Sequence, residues 1–252
     1  MSTTFSDSEL YERGEATLLA CWRAYAGKTP GAAVHRLAGV SAAVFPSEPE
    51  RSLYNNAVLA RGLAPAVRDA TLDAMEAAYA SAGVADFAAW VHETDVPMRR
   101  AIERRGYAIA ETTRAMGAVL DRCRIPKLKP EVEIVKLDWQ DYVRIFELPD
   151  GLLTGTDHGA FGLVAGRVGG QDAAASLSFD FGDDRGIYNV ETLEPFRRRG
   201  LGTALTASQL RQALERGCRT ASLQATPMAE RMYAGVGFRD LGRIIEYRPP
   251  PG

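Results

Sequence analysis

The most informative stretch of this chain is Val190-Glu-Thr-Leu-Glu-Pro-Phe-Arg-Arg-Arg-Gly-Leu-Gly-Thr203, which joins a strand to a helix. An apolar strand ends at Leu193, a turn passes through Pro195, and Arg197-x-x-Gly200-x-Gly202 opens the helix. Glycines at this place let the backbone approach a ligand closely. The free N–H groups of the first helical turn favour an anion. The stretch therefore predicts a binding site for a pyrophosphate.

The second half of the chain predicts a mixed sheet around this stretch. Strands that follow one another quickly before residue 193 indicate antiparallel hairpins. The strand-helix-strand crossover from 186 to 225 indicates a parallel pair. The elements predicted from the pattern of apolar residues are helix 138–147, strands 160–168, 173–181 and 186–193, helix 201–216, strand 220–225, helix 228–235 and strand 239–247.

The first half repeats the landmarks of the second half in the same order. A Tyr-Asn pair begins at Tyr54 and again at Tyr188, 134 positions later. The alanine-rich helices that follow end near Gly83 and Gly217, which are also 134 positions apart. The elements predicted for the first half are helix 8–25, strands 32–45 and 53–60, helix 65–82, strand 87–92, a helix starting at Pro97 and strand 108–120.

A stretch rich in proline and lysine divides the two halves. Prolines and lysines between 124 and 131 interrupt both helix and strand periodicity. We therefore expect a domain at 1–123, a linker at 124–130 and a second domain at 131–252. The fold class is α/β or α+β.

Composition excludes several classes of function. The chain has 252 residues, is 46% hydrophobic and 25% charged, and carries a formal net charge of −2, which favours a folded protein without a nucleic-acid partner. No apolar run is long enough to span a membrane. Three distant cysteines and three histidines lack metal-ligand spacing, so we expect no metal and a cytoplasmic location. The chain lacks a P-loop, and Arg198 stands where a dinucleotide fingerprint needs glycine.

A second motif, Met232-Tyr-Ala-Gly-Val-Gly-Phe238, follows the first after one helix and one strand. Together the two motifs resemble the acyl-CoA signature and the terminal helix motif of the GNAT N-acetyltransferase superfamily. The resemblance implies two GNAT-like domains, each a mixed, mostly antiparallel sheet flanked by helices. The first would be degenerate, because the 134-residue offset replaces the glycine loop by Leu63-Ala-Pro-Ala-Val-Arg68. Alignment of Gly106 with Gly237 replaces Tyr233 by Ile102.

The resemblance also implies acetyl-CoA as co-substrate, with no metal. Backbone N–H groups of the glycine loop would hold the pyrophosphate, and the N–H of Leu193 is a candidate oxyanion donor. In place of the asparagine common in the family, Thr226 would contact the cofactor. The expected cofactor-binding residues are Leu193, Arg198, Arg199, Gly200, Leu201, Gly202, Thr203 and Thr226.

Two residues are candidates for catalysis and two for acceptor binding. Tyr233 would protonate the departing thiolate, although it is also placed as a core tyrosine on an amphipathic helix. Glu191 is the best candidate for the base, because strand alternation puts Asn189, Glu191 and Leu193 on one face. Its alternative is a polar residue that binds substrate. Asn189 and His158 are the candidates for lining the acceptor site, although His158 is more simply a surface residue.

The sequence as a whole indicates an acyltransferase that moves an acetyl group directly from acetyl-CoA to the amine of a small molecule. A non-catalytic acyl-CoA or CoA sensor and a protein or peptide N-acetyltransferase are the alternatives. The sequence fits a monomer or a homodimer.

Overall fold

A computed structural model describes residues 4–27, 29–50, 54–127, 131–145 and 157–251. A short 3₁₀ turn at Glu194–Phe196 lies in the glycine-loop region. The helices and strands, numbered in chain order, are α1 Asp7–Ala26, β1 Ala33–Leu37, β2 Val40–Val44, β3 Asn56–Leu59, α2 Pro65–Ser81, β4 Ala88–His92, α3 Val96–Arg104, β5 Ala108–Val119, β6 Glu133–Lys136, α4 Trp139–Ile145, β7 Phe161–Val168, β8 Gln171–Phe181, β9 Asp184–Thr192, α5 Leu201–Glu215, β10 Thr220–Ala225, α6 Glu230–Val236 and β11 Arg239–Arg248.

Most elements lie within a few residues of their predicted positions, and two differences have local causes. The single strand predicted over 32–45 is a hairpin, because Gly39 adopts a left-handed conformation (φ 80°) between β1 and β2. Strand β6 was missed, since its four residues are too few to establish a period. The last two residues of the predicted helix 138–147 lie outside the described residues.

The chain forms two compact units, each built from separate segments. Among the described residues, unit 1 contains 4–18, 115–127, 131–145 and 157–241, and unit 2 contains 19–27, 29–50, 54–114 and 242–251. The predicted domains 1–123 and 131–252 stay a prediction. Residues 128–130 of the predicted linker lie outside the described residues.

The sheet of unit 1 has the strand order β5-β10-β9-β8-β7-β6. Neighbours from β6 to β9 are antiparallel, whereas β9 and β10 are parallel, as the hairpins and the crossover predict. Helix α5 covers one face, where Leu210 packs with Ile187 and Leu223. The crossover helix therefore begins beside the end of β9.

The opposite face of unit 1 carries the first part of α1. The buried carboxylate of Asp184 accepts hydrogen bonds from the hydroxyls of Thr17 (2.7 Å), Thr220 (2.6 Å) and Ser222 (2.7 Å). A Cβ at Gly14 would lie 2.8 Å from the Cβ of Ser222, so glycine permits the close approach. Residues 7–18 of α1 are thus an integral part of unit 1.

Unit 2 contains a second mixed sheet, in the order β1-β2-β3-β4-β11. Its strands are antiparallel except for the parallel pair β3 and β4. Helices α2 and α3 bury Leu72, Met75 and Met98 in its core. Unit 2 therefore has its own hydrophobic core and its own strand-helix-strand crossover.

Among the helices described, none is both long and apolar enough to cross a membrane.

Candidate functional site

The parallel strands β9 and β10 separate before they end. Their paired register covers Asp184 to Gly186 on β9 and ends at Ser222 on β10. Strand β9 nevertheless continues to Thr192, and β10 continues to Ala225. Backbone groups of the separated segments are turned towards the opening, where a ligand can bond to them as an added strand would.

A bulge changes the direction of β9 within this opening. Ser176 of β8 faces both Asn189 and Val190, and Asn189 has a left-handed conformation (φ 50°). Because of the extra residue, Ile187 and Val190 both pack on the side of α5, although regular alternation would separate them. The alternation expected through 189–193 is therefore wrong at Asn189. Glu191 lies after the bulge and faces away from α5.

The backbone of Leu193 does not face the opening. Its N–H donates a hydrogen bond to the carbonyl of Ala173 (2.9 Å), so the predicted role of this N–H as oxyanion donor is wrong. Neighbouring residues of a strand direct their backbone groups to opposite sides. The carbonyl of Thr192 accepts from Nε of Arg197 (3.1 Å) on the other side. The N–H that faces the opening is therefore that of Thr192.

Helix α5 begins with unsatisfied donors. Gly200 precedes the helix in a left-handed conformation (φ 87°), and no side chain caps this end. The N–H of Ala204 donates to the carbonyl of Gly200 (3.0 Å), so the N–H groups of 201–203 have no partner within the helix. A Cβ at Gly202 would lie 3.1 Å from Sδ of Met232, so glycine keeps this end of the helix narrow. This is the loop that the sequence predicts for a pyrophosphate.

Three arginines add positive charge beside these donors. The side chain of Arg197 turns back to Thr192, and the guanidinium of Arg199 lies over the ring of Phe196 (5.4 Å to the centroid). Arg198 is exposed and has a left-handed backbone (φ 62°). Non-glycine residues rarely adopt this conformation, and it recurs where a loop is shaped for a ligand. The charge favours an anionic group at the helix end.

Tyr233 lies on α6 in the core behind α5. It is 5% exposed, and its ring contacts Phe238 edge-on (5.7 Å between centroids). Burial raises the pKa of its phenol, and a hydrogen bond with Thr206 partly offsets this. The phenol therefore stays protonated at neutral pH. Thr206 is a residue that sequence reasoning missed, since a threonine inside a helix carries no motif.

The predicted acceptor residues differ in their surroundings. Glu191 is exposed, and Asn189 donates a hydrogen bond from Nδ2 to Oη of Tyr142 (2.7 Å). Thr226 is exposed at the end of β10. His158 begins a 3₁₀ turn, and its side chain lies outside the described part of the structure. Tyr142 was missed because a tyrosine on a short helix predicts only a core position.

The corresponding part of unit 2 is closed. Strands β3 and β4 pair through Val58 and Trp90, near the ends of both strands. Helix α2 begins at Pro65, which has no N–H to donate. Ile102, the counterpart of Tyr233, is fully buried in the apolar core. These features agree with a first half that has lost the loop and the opening.

Within the described residues, no group of three His, Cys, Asp or Glu side chains is placed to hold a metal ion.

Comparison with known families assigns the second half. Residues 126–238 match the model of the Acetyltransferase (GNAT) family. This segment contains the separated strands, the glycine loop and Tyr233, and it is a GNAT domain. The protein is therefore an acyltransferase. No curated protein matches the sequence.

Solved structures with the same fold include one that is described as a tandem protein. A GCN5-related N-acetyltransferase from Kribbella flavida has a TM-score of 0.73 at 18% identity, and the match covers 96% of each chain. Another, from Sphaerobacter thermophilus, has a TM-score of 0.58 at 14% identity, covering 100% of this chain and 96% of that one. A tandem GNAT protein from the clavulanic acid biosynthesis pathway has a TM-score of 0.56 at 12% identity, covering 98% of each. At these identities the likeness establishes the fold alone.

Proposed function

We propose that this protein transfers an acetyl group from acetyl-CoA to the amine of a small molecule. The observation that carries the proposal is the opening between β9 and β10 beside the uncapped start of α5. One end of this arrangement suits an extended polar chain, and the other suits a pyrophosphate. Acetyl-CoA contains both parts.

The residues present fit this co-substrate. The backbone N–H groups of 198–203 would hold the pyrophosphate. Glycine at Gly200 and Gly202 keeps this loop narrow, and a Cβ at Gly202 would press on Met232. Leu193 and Thr226 lie at the ends of the two separated strands, and the exposed side chain of each would contact the pantetheine chain. When bound, acetyl-CoA supplies the acetyl group as an activated thioester.

The N–H of Thr192 is our candidate for stabilising the negative charge on the acetyl oxygen, in place of the N–H of Leu193. It faces the opening, whereas the N–H of Leu193 is occupied by Ala173. A backbone donor that is already fixed in a strand stabilises the charge without reorganisation. Glu191 would take a proton from the incoming ammonium, because its exposed carboxylate lies one residue before this donor.

Tyr233 would donate the proton that the departing sulfur needs. Its raised pKa keeps the phenol protonated, as a proton donor requires. Transfer is direct, without a covalent intermediate on the protein.

The acceptor is a small amine that binds on the face of Glu191, with Asn189 and His158 as candidate contacts. The proposal includes a cytoplasmic location, which the three free cysteines support because oxidising compartments favour disulfides. A monomer or a homodimer is compatible with it.

The test is thiol release from acetyl-CoA with separate amines, namely kanamycin, spermidine and lysine, followed by mass spectrometry of each product. We expect at least one amine to gain an acetyl group, and Glu191→Gln to lower the rate by about 10²-fold. The matched control is Glu194→Gln, on the exposed turn after the strand. Binding of acetyl-CoA without transfer to a broad amine panel would contradict the proposal and favour a sensor.

A further inference from the structure

Asn189 occupies the bulge of β9 in a conformation that needs support. Its φ of 50° is left-handed, and it shares the position opposite Ser176 with Val190. Asparagine tolerates this conformation better than most residues, but an extended strand conformation remains preferred. A contact that holds the side chain therefore helps to keep the bulge in place.

Tyr142 supplies such a contact. Nδ2 of Asn189 donates a hydrogen bond to Oη of Tyr142, and the distance is 2.7 Å. Tyr142 lies on α4 and is 1% exposed, whereas Asn189 is exposed. A hydrogen bond to a buried partner is better shielded from competition by water than a bond between two exposed groups.

The ring of Tyr142 is itself fixed to the sheet. It packs against Trp139 of the same helix (5.5 Å between centroids), and Trp139 packs against Phe161 of β7 (5.6 Å). Phe161 in turn contacts Phe179 of β8 (5.3 Å). The phenol oxygen is thus held relative to the same sheet that contains the bulge.

The bulge determines where the following residues point. Val190 turns to the side of α5, and Glu191 consequently turns to the opposite face. Thr192 directs its backbone away from β8 and towards the opening. Removal of the bulge would reverse these directions, because one residue fewer inverts the alternation.

We propose that Tyr142 is a positioning residue for acyl transfer, which holds Asn189 in the bulge and so aims the Glu191 carboxylate and the Thr192 N–H. The chemical part of this proposal rests on the proposed function. Tyr142 is 1% exposed, so we assign its effect on the reaction to the hydrogen bond that holds Asn189.

The first experiment measures the bulge without reference to activity. Hydrogen exchange of the segment 187–193 is followed by mass spectrometry in the full-length protein and in Tyr142→Phe. We expect faster exchange in this segment, by about tenfold. The matched control is Tyr79→Phe, which removes the phenol that donates to the carbonyl of Ala43 in the core of unit 2 and leaves 187–193 unchanged.

The second experiment separates positioning from general stability. Tyr142→Phe is expected to lower kcat for thiol release from acetyl-CoA about tenfold, with KM for acetyl-CoA changed less than about twofold. Asn189→Asp should keep the hydrogen exchange of 187–193 close to that of the wild type, because the phenol O–H can donate to the new carboxylate. Asn189→Gly adopts the left-handed conformation without a side-chain contact, so Tyr142→Phe should have no further effect in that background.

Two results would overturn the proposal. One is unchanged exchange in 187–193 on Tyr142→Phe, and the other is a loss of kcat on Tyr142→Phe that is as large in the Asn189→Gly background as in the wild type. If the wild type releases no thiol with any amine, the proposed function fails and the catalytic part falls with it. The exchange comparison still decides whether Tyr142 holds the bulge.

Discussion

Positions 200 and 202 both require glycine, but for different reasons. Gly200 has a left-handed backbone (φ 87°), in which any side chain is strained. Gly202 has ordinary helical geometry, but a Cβ there would approach Met232. The first glycine is therefore a requirement of the backbone, and the second is a requirement of the space around it.

We predict that Gly200→Ala destabilises the protein by about 1 kcal/mol and weakens acetyl-CoA binding, because alanine disfavours the left-handed conformation. Chemical denaturation and calorimetric titration measure the two effects. The control is Gly235→Ala in α6, where a Cβ meets nothing within 4 Å. Equal behaviour of the two variants would contradict the role of the Gly200 backbone.

Tyr233→Phe tests the proton donor. We expect kcat to fall by about 10²-fold and the affinity for acetyl-CoA to stay within about twofold, because the ring keeps its packing in the core. Steady-state kinetics and titration of the same sample give both values. A variant with wild-type kcat would leave Tyr233 as a core residue bonded to Thr206.

At the level of single elements, the sequence predicts strand and helix positions better than their geometry. The apolar pattern locates β9, and the glycines locate the start of α5, because each pattern is local. The bulge at Asn189 was not predictable, since it depends on pairing with Ser176 of another strand. The same bulge and the bond between Leu193 and Ala173 explain why the expected oxyanion donor was wrong.

Strand β11 contains a carboxyl whose ionisation depends on folding. Burial, and then the nearby carboxylate of Glu111, raise the pKa of Glu246 to about 7, although Arg248 acts in the opposite direction. The folded state therefore holds its proton more tightly than the unfolded chain, for which the ordinary pKa is 4.5. The free energy of unfolding consequently falls as the pH rises from about 4.5 to about 7.

We predict that Glu246→Gln removes the fall in the free energy of unfolding between about pH 4.5 and pH 7. Relative to the wild type, the variant should gain on the order of 2 kcal/mol in unfolding free energy between pH 4.5 and pH 8, because its amide does not ionise. Chemical denaturation at several pH values measures the difference. The control is Glu111→Gln, an exposed change that should have a smaller effect of the same sign. Parallel stability curves for Glu246→Gln and the wild type would contradict the raised pKa.

For the whole molecule, the repeat predicts two similar halves but not how chain segments are shared. Residues 7–18 of α1 belong to unit 1, where Thr17 bonds to Asp184 and Arg13 pairs with Asp183. Residues 242–251 belong to unit 2. Such exchanges depend on contacts between distant parts of the sequence, which a local pattern does not contain.

We expect that a fragment of residues 131–252 will not fold by itself. It lacks the first part of α1 and strand β5, so Asp184 would lose its hydrogen bond from Thr17, and strand β10 would lose its neighbour β5. Circular dichroism and thermal unfolding of the fragment and the intact chain provide the comparison. Thr17→Val in the intact chain removes the hydrogen bond to Asp184, and we expect it to lower the free energy of unfolding by about 1–3 kcal/mol. A fragment with a cooperative transition at the wild-type temperature would support the division predicted at 124–130.

The measurement that tests the central claim most directly is calorimetric titration of acetyl-CoA into the intact protein and into Gly202→Glu. We predict binding to the wild type, lost in the variant, because a carboxylate at the start of α5 would repel the pyrophosphate and press against Met232. CoA carries the same pyrophosphate, so it should also bind to the wild type and lose binding in the variant. No binding to the wild type, or equal binding to both proteins, would contradict the assignment of 198–203 as the pyrophosphate site.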